Sequence, residues 1–214
     1  MEGFQLNHSG QPDQPESGNQ KLTVQDLLIM LHDLVYILCT VALVFMFFFR
    51  LVTVEGDSMY PTLCNQDQVI MLSGIWYAEP AAGDIVVARA PAFSSDPLIK
   101  RIVAVEGDTV DIDFLSGSVS VNGELLEEEY IPEPTYRDFE DSGLTFPLQV
   151  EDGCVFLLGD NRNMSYDSRY GLIGQVDSRN IIGKVIFLAF PGQDQMTGQR
   201  DFHRIGTMEQ EAKS

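Results

Sequence analysis

The chain has 214 residues, 44% of them hydrophobic, enough for a packed core in one good-sized domain or two small ones. Its 32 Asp and Glu outnumber 13 Lys and Arg, for a formal net charge of -19. That balance argues against a nucleic-acid partner, which needs a basic patch, and leaves no polybasic stretch to draw the chain onto anionic lipid.

The first stretch is rich in Gln, Asn, Gly and Pro, and 1–26 reads as a disordered polar tail. The chain is then apolar to Val52, with an uncharged core, LVYILCTVALVFMFFF, at 34–49. Extended by 27–31 on one side and by Leu51 and Val52 on the other, it reaches the roughly 20 residues a bilayer-spanning helix needs. His32, Asp33 and Arg50 then fall near the interfaces, where charge is tolerated. A cleaved secretory signal is disfavoured, because the preceding region is long and poorly basic and no small-x-small site follows. A buried core helix would have to bury Phe45, Phe47, Phe48 and Phe49 in a small domain. The expectation is an uncleaved anchor helix over 27–53, whose direction charge does not give, since Lys21 and Arg50 flank it almost symmetrically.

After Thr53 short apolar runs are broken by Gly, Pro, Asp and Asn. Strands are predicted over 68–72, 84–89, 98–106, 109–113, 118–121, 154–158 and 183–190. Asn122-Gly123 predicts a tight hairpin turn. Many short strands with little helical periodicity indicate an all-β domain over 54–191. Ile75-Trp76-Tyr77 is open to two readings, contact with the bilayer interface or a buried strand end. The acidic runs Glu127–Glu128–Glu129 and Asp138, Glu140, Asp141 read as solvated faces, 127–152 as a loop, and 192–214 as a disordered polar tail. Cys39, Cys64 and Cys154 lack metal-like spacing, and a Cys64–Cys154 disulfide is one option for them. His8, His32 and His203 are the only histidines and none lies near a motif, so a Ser-His-Asp triad and zinc chemistry are both unsupported.

Three segments carry candidate chemistry. In Gly56-Asp57-Ser58-Met59-Tyr60-Pro61 the turn-forming residues would hold the Ser58 hydroxyl outward and leave backbone N–H groups free for an oxyanion, although such a serine is often only structural. In the strand 98–105, Lys100 alternates with Leu98, Ile102 and Ala104, and Arg101 with Ile99, Val103 and Val105. Both faces are apolar, and desolvation lowers a lysine pKa toward values at which a neutral amine activates a serine. The plainer alternative is an edge-strand lysine that discourages aggregation. The polar run 159–171 follows an apolar strand, and within it Asp167 could pair with Arg169 while Asp160 and Arg162 brace the loop.

Taken together, GDSMYPTL at 56–63, IKRIVAVEGD at 99–108, GDNRNMSYDSRYGLIG at 159–174 and GDIVV at 83–87 resemble the signature boxes of the bacterial type I signal peptidases, in their order and just after a single anchor. The resemblance implies a mostly β, signal-peptidase-like catalytic domain of short strands preceded by one N-terminal transmembrane helix. It implies Ser58 as nucleophile and Lys100 as general base, with Ser165 as the hydroxyl that orients the lysine amine. Asp167 and Arg169 match the ion pair that supports the site, and Asp160 and Arg162 lie in the same box. Gly56 stands where some members place a serine that lends its hydroxyl to the oxyanion, so the oxyanion would rest mainly on the Ser58 N–H. Ala104-Val105-Glu106 departs from the more usual Gly-Leu-Pro. The implied substrate is a secreted preprotein cut after a small-x-small segment, with the lipid bilayer as the other partner and no cofactor, metal or nucleic acid. The implied place is the cell membrane, single-pass, with the catalytic domain on the extracytoplasmic side. The rival reading from another class is a catalytically silent, membrane-tethered β-domain used for binding.

Overall fold

In a computed structural model, residues 23–139, 143–194 and 197–208 are described. Most of the expected N-terminal tail, and Glu140 and Asp141, fall outside them. The chain divides between Leu43 and Val44 into two compact units.

Helix α1 runs Val24–Phe48. Thr23 caps it: its Oγ1 accepts from the Asp26 N–H at 3.3 Å, while the Asp26 carboxylate accepts from the Thr23 N–H at 2.9 Å. Such reciprocal bonds satisfy donors that a helix start otherwise leaves orphaned. At 25 residues the helix is about 37 Å long, apolar all round, with none of its side chains buried in the protein. It is the one helix among the described residues long and apolar enough to cross a membrane. The apolar run outlasts the helix. Phe49–Thr53, expected as its end, forms β1, which pairs with β2 (Gln68–Ser73) from Phe49 opposite Leu72 to Thr53 opposite Gln68.

The remaining strands are β3 (Ile85–Ala88), β4 (Leu98–Val105), β5 (Thr109–Asp113), β6 (Ser118–Val121), β7 (Glu124–Leu125), β8 (Leu148–Gln149), β9 (Cys154–Leu158), β10 (Val176–Asp177), β11 (Ile181–Phe190) and β12 (Gly206–Thr207). They build two antiparallel sheets: β1-β2-β11-β3-β4-β9-β10, with β12 pairing on β11, and β7-β6-β5-β8. The mostly β architecture with one apolar N-terminal helix is the one read from the sequence. Asn122 and Gly123 both take positive φ, 55° and 83°, as the tight β6–β7 turn requires.

Strand β4 is common to three apolar clusters. Ile99 packs with Val87, Met59 and Met71; Leu98 and Ile102 with Val86, Leu157 and Ile181; Val103 and Ala104 with Val110 and Phe156. The alternation read from the sequence therefore holds as far as Ile102. A register shift against β9 between Ile102 and Ala104 then puts Ala104 in one cluster with Val103.

One further difference has a local cause. Residues 197–208, expected as part of a tail, carry a 3-10 turn at Phe202–Arg204 and strand β12. They are held because Arg204 reaches the fully buried Asp67, at 2.6 Å to Oδ2, and the Thr62 carbonyl at 3.0 Å. Cys64 and Cys154 are free thiols. Trp76 and Ile75 are exposed, with the Trp76 ring packed on Phe47 and Phe48, while the Tyr77 hydroxyl turns inward and donates to Asp84 at 2.6 Å.

Candidate active site

The turn after β1 places Ser58. Gly56 adopts φ +84°, a conformation glycine reaches without strain, and its N–H donates to the Asn65 side chain at 3.0 Å. The turn is clamped from the loop after β9: Asn161 donates its backbone N–H to the Ser58 carbonyl and its side-chain amide to the Asp57 carbonyl, both at 3.0 Å. No acceptor among the described residues engages the Ser58 N–H.

From β4, Lys100 brings its Nζ to 2.7 Å from the Ser58 Oγ and 2.9 Å from the Ile99 carbonyl. Only 3% of Lys100 is exposed. Burial disfavours the ammonium and pushes its pKa down to about 8, against the opposing pull of the Asp167 and Asp160 charges. The amine is thus neutral in an appreciable fraction of molecules near neutral pH, and a neutral amine at this distance can accept the hydroxyl proton.

Beneath the pair lies a set of buried ions. Asp167 and Arg169 pair as expected, with Nε and Nη2 each 2.9 Å from a carboxylate oxygen and neither side chain exposed. Burial alone would raise the Asp167 carboxyl, but the Arg169 charge and hydrogen bonds from Arg169 and the Gly159 N–H override it and hold the pKa below the ordinary value. Asp160 and Arg162, expected to brace the loop, are both buried in it but not as a pair. Asp160 takes a bidentate contact from Arg101, at 2.8 and 2.6 Å, and a hydrogen bond from Thr62 at 2.5 Å. Arg162 pairs with Glu128 and donates to Thr135 at 2.9 Å. Glu128 was expected on a solvated acidic face, yet its side chain is only 7% exposed. A buried guanidinium needs a carboxylate, and this loop brings one.

Ser165 is fully buried, and its hydroxyl has no hydrogen-bond partner among the described residues. Gly159 explains how close the layers are. A Cβ there would stand 2.2 Å from the Ser165 Oγ and 2.5 Å from the Ser58 carbonyl oxygen. Gly159→Ala is expected to force the Ser58 turn from the Ser165 loop, with a loss of about 1–3 kcal/mol in urea unfolding. An unchanged midpoint would mean that the two layers separate freely.

An elongated groove of about 540 Å³ opens over Ser58 and Lys100. It is lined by Arg50–Glu55 and Asp96–Lys100, with Met59, Met71, Val87, Arg89 and Ile182. No cluster of three or more metal-ligating side chains occurs among the described residues. Arg101, Asn161, Glu128 and Thr62 are among the site residues that sequence reasoning did not single out. Of these Arg101 had a signal of its own, a permanent charge in a strand apolar on both faces.

The family model described as signal peptidase, peptidase S26, matches residues 27–190. The chain is 36% identical over 150 residues to thylakoidal processing peptidase 1, chloroplastic, of Arabidopsis thaliana, covering 65% of this chain and 41% of that relative. It therefore spans less than half the length of that plant protein. Signal peptidase I P of Bacillus subtilis subsp. natto is 31% identical over 178 residues, covering 80% of this chain and 94% of its own. A crystal structure of a signal peptidase I from Enterococcus faecalis aligns with a TM-score of 0.42 at 30% identity, over 50% of this chain and 97% of that one.

Proposed function

The chain belongs to the signal peptidase family, peptidase S26, and from that premise we propose that it is a membrane-anchored serine endopeptidase that removes signal peptides from secreted preproteins. The observation that carries this reading is the 2.7 Å contact between the Ser58 hydroxyl and a buried lysine amine whose pKa is lowered to about 8.

The Ser58 Oγ attacks the scissile carbonyl carbon while Lys100 Nζ takes its proton. The oxyanion that forms is met by the Ser58 N–H, which no acceptor among the described residues engages; the Gly56 N–H is committed to Asn65. Collapse breaks the C–N bond as Lys100 returns the proton to the leaving amine, the new N-terminus of the mature chain. Water then attacks the acyl-Ser58 ester with Lys100 again as base, which releases the signal peptide acid and restores the hydroxyl. The Asp167–Arg169 and Asp160–Arg101 pairs fix the loop beneath the amine, while the buried Ser165 hydroxyl, expected to orient the amine, makes no hydrogen bond to it in this structure.

The substrate lies extended in the groove beside Arg50–Glu55, where Met59, Met71, Val87 and Ile182 leave room for small side chains at the positions facing inward. Helix α1 crosses the cell membrane once, and the β-rich unit stands on the extracytoplasmic side, where signal peptides emerge. The test is digestion of a preprotein by the detergent-solubilised chain, with the product's N-terminus sequenced. The expected result is a single cut after a small-x-small segment, lost when the residue before the bond is changed to Leu. If the parent chain cuts nothing, a tethered binding domain replaces this reading.

A further inference from the structure

Most basic side chains among the described residues of this acidic chain are engaged by its own groups. Among the described residues, Lys184, Arg101, Arg162, Arg169, Arg179 and Arg204 each hold a carboxylate, and Lys100, Arg137 and Arg200 donate to a hydroxyl or carbonyl. Arg50 and Arg89 are the two described basic residues whose side chains hold no hydrogen bond or ion pair. They are 39 positions apart in sequence, yet both line the catalytic groove and, beyond Ile182, a second recess of about 360 Å³. That recess is lined by three arginines, the third being Arg179, with Ser178 and Asn180 as polar neighbours and no carboxylate, in a chain of net charge -19. Two unneutralised guanidinium groups in a recess free of acid make an anion site.

We propose that the recess between Arg50 and Arg89 binds the phosphate headgroup of an anionic membrane phospholipid, beside the end of the catalytic groove. Three observations select a lipid. Arg50 follows, by two residues, the end of the one described helix long enough to span a bilayer. It also lines an apolar cavity with Phe45, Phe49, Leu51 and Phe187, the kind of surface against which a long basic side chain packs its methylenes. Ile75, which lines the recess, and the neighbouring Trp76 are both exposed, as side chains seated at a bilayer interface are. The recess achieves what the sequence had seemed to lack, since two arginines distant in the chain stand in for a polybasic stretch. The proposal rests on the membrane-anchored part of the reading above and not on its catalysis.

Trp76 is the only tryptophan of the chain, so its fluorescence reports on this place alone. The full chain in neutral detergent would be titrated with phosphatidylglycerol or phosphatidylcholine carrying the same brominated acyl chains, which quench tryptophan. The expected result is half-quenching at about thirtyfold lower mole fraction of phosphatidylglycerol, the scale of two basic side chains meeting an anionic headgroup. The preference should vanish in an Arg50→Gln/Arg89→Gln variant and persist in Arg200→Gln. Equal quenching of the parent by both lipids, or a preference kept by the double variant, would overturn the proposal. So would loss of the preference on adding glycerol phosphate at a similar concentration, which would make the recess a site for soluble phosphate esters. Should a soluble acidic signal peptide shift the emission through the same arginines while the lipids do not discriminate, the recess serves the substrate and the lipid assignment is wrong. Because no arm measures cleavage, failure of the peptidase reading leaves this result interpretable.

Discussion

Lys100→Met is expected to lower the rate of preprotein cleavage by at least about a thousandfold, the order lost when a general base is removed from a working pair. Methionine fills the space of the lysine stem in a position only 3% exposed, so the sheet is retained and the loss belongs to the amine. In the parent, kcat/KM should rise with pH and level off above about 8, because the base acts only when unprotonated and burial has brought its pKa down to about 8. The stability effect has the opposite sign. Below about pH 8 the amine is charged in both folded and unfolded chains, and the folded chain bears the full desolvation cost. Between about 8 and the unfolded value near 10.5 the folded amine is neutral, and the cost falls away. The methionine variant should therefore melt higher than the parent at neutral pH, with the gap closing toward pH 10. A flat pH-rate profile across this range, or a variant that melts lower at every pH, would contradict the assignment of Lys100 as a buried base.

Asp167→Ala is expected to cost about 3–5 kcal/mol, because it strands the Arg169 guanidinium in a place where neither side chain is exposed. Against a total stability of about 5–15 kcal/mol, that change alone brings the β-rich unit near unfolding. Urea midpoints would measure it, and Asp167→Ala/Arg169→Met should recover much of the loss by removing the orphaned charge. The parent's Asp167 contribution has its own pH window. The carboxyl is held below its ordinary value, so the stability is present above about pH 4 and is lost as pH falls through the folded pKa. Asp167 also raises the Lys100 pKa, so residual activity in Asp167→Asn should have its midpoint shifted to lower pH. No shift would mean that the carboxylate and the amine do not sense one another.

How far the sequence carried this account depended on the range over which each feature is determined. The strands β2 to β6, β9 and β11 follow from local alternation and turn residues, and the Asn122-Gly123 hairpin from the backbone those residues favour. Strand β1 was hidden because Phe49–Thr53 continues the apolar run of the helix, and only pairing with β2 distinguishes it. The two-residue strands β7, β8, β10 and β12 carry no periodicity to read. In the site, the turn and strand singled out Ser58 and Lys100 as candidates, the resemblance to the signature boxes gave them their roles, and the polar run 159–171 suggested the Asp167–Arg169 pair. The partners of Asp160 and Arg162 were not, since Arg101 is 59 positions from Asp160 and Glu128 is 34 from Arg162. An acidic run such as 127–129 looks solvated until the fold shows which of its members turns inward.

The proposed peptidase activity depends on Ser58 as the nucleophile activated by Lys100. The most direct measurement is the initial rate of preprotein cleavage by the parent and by Ser58→Ala, at about pH 9 where the amine is neutral, with unfolding followed in both. The expected result is no cleavage above background by the variant and an unfolding midpoint equal to the parent's. A correctly folded Ser58→Ala chain that still cuts at roughly a tenth of the parent rate or more would place the nucleophile elsewhere, since loss of a nucleophile removes far more than that.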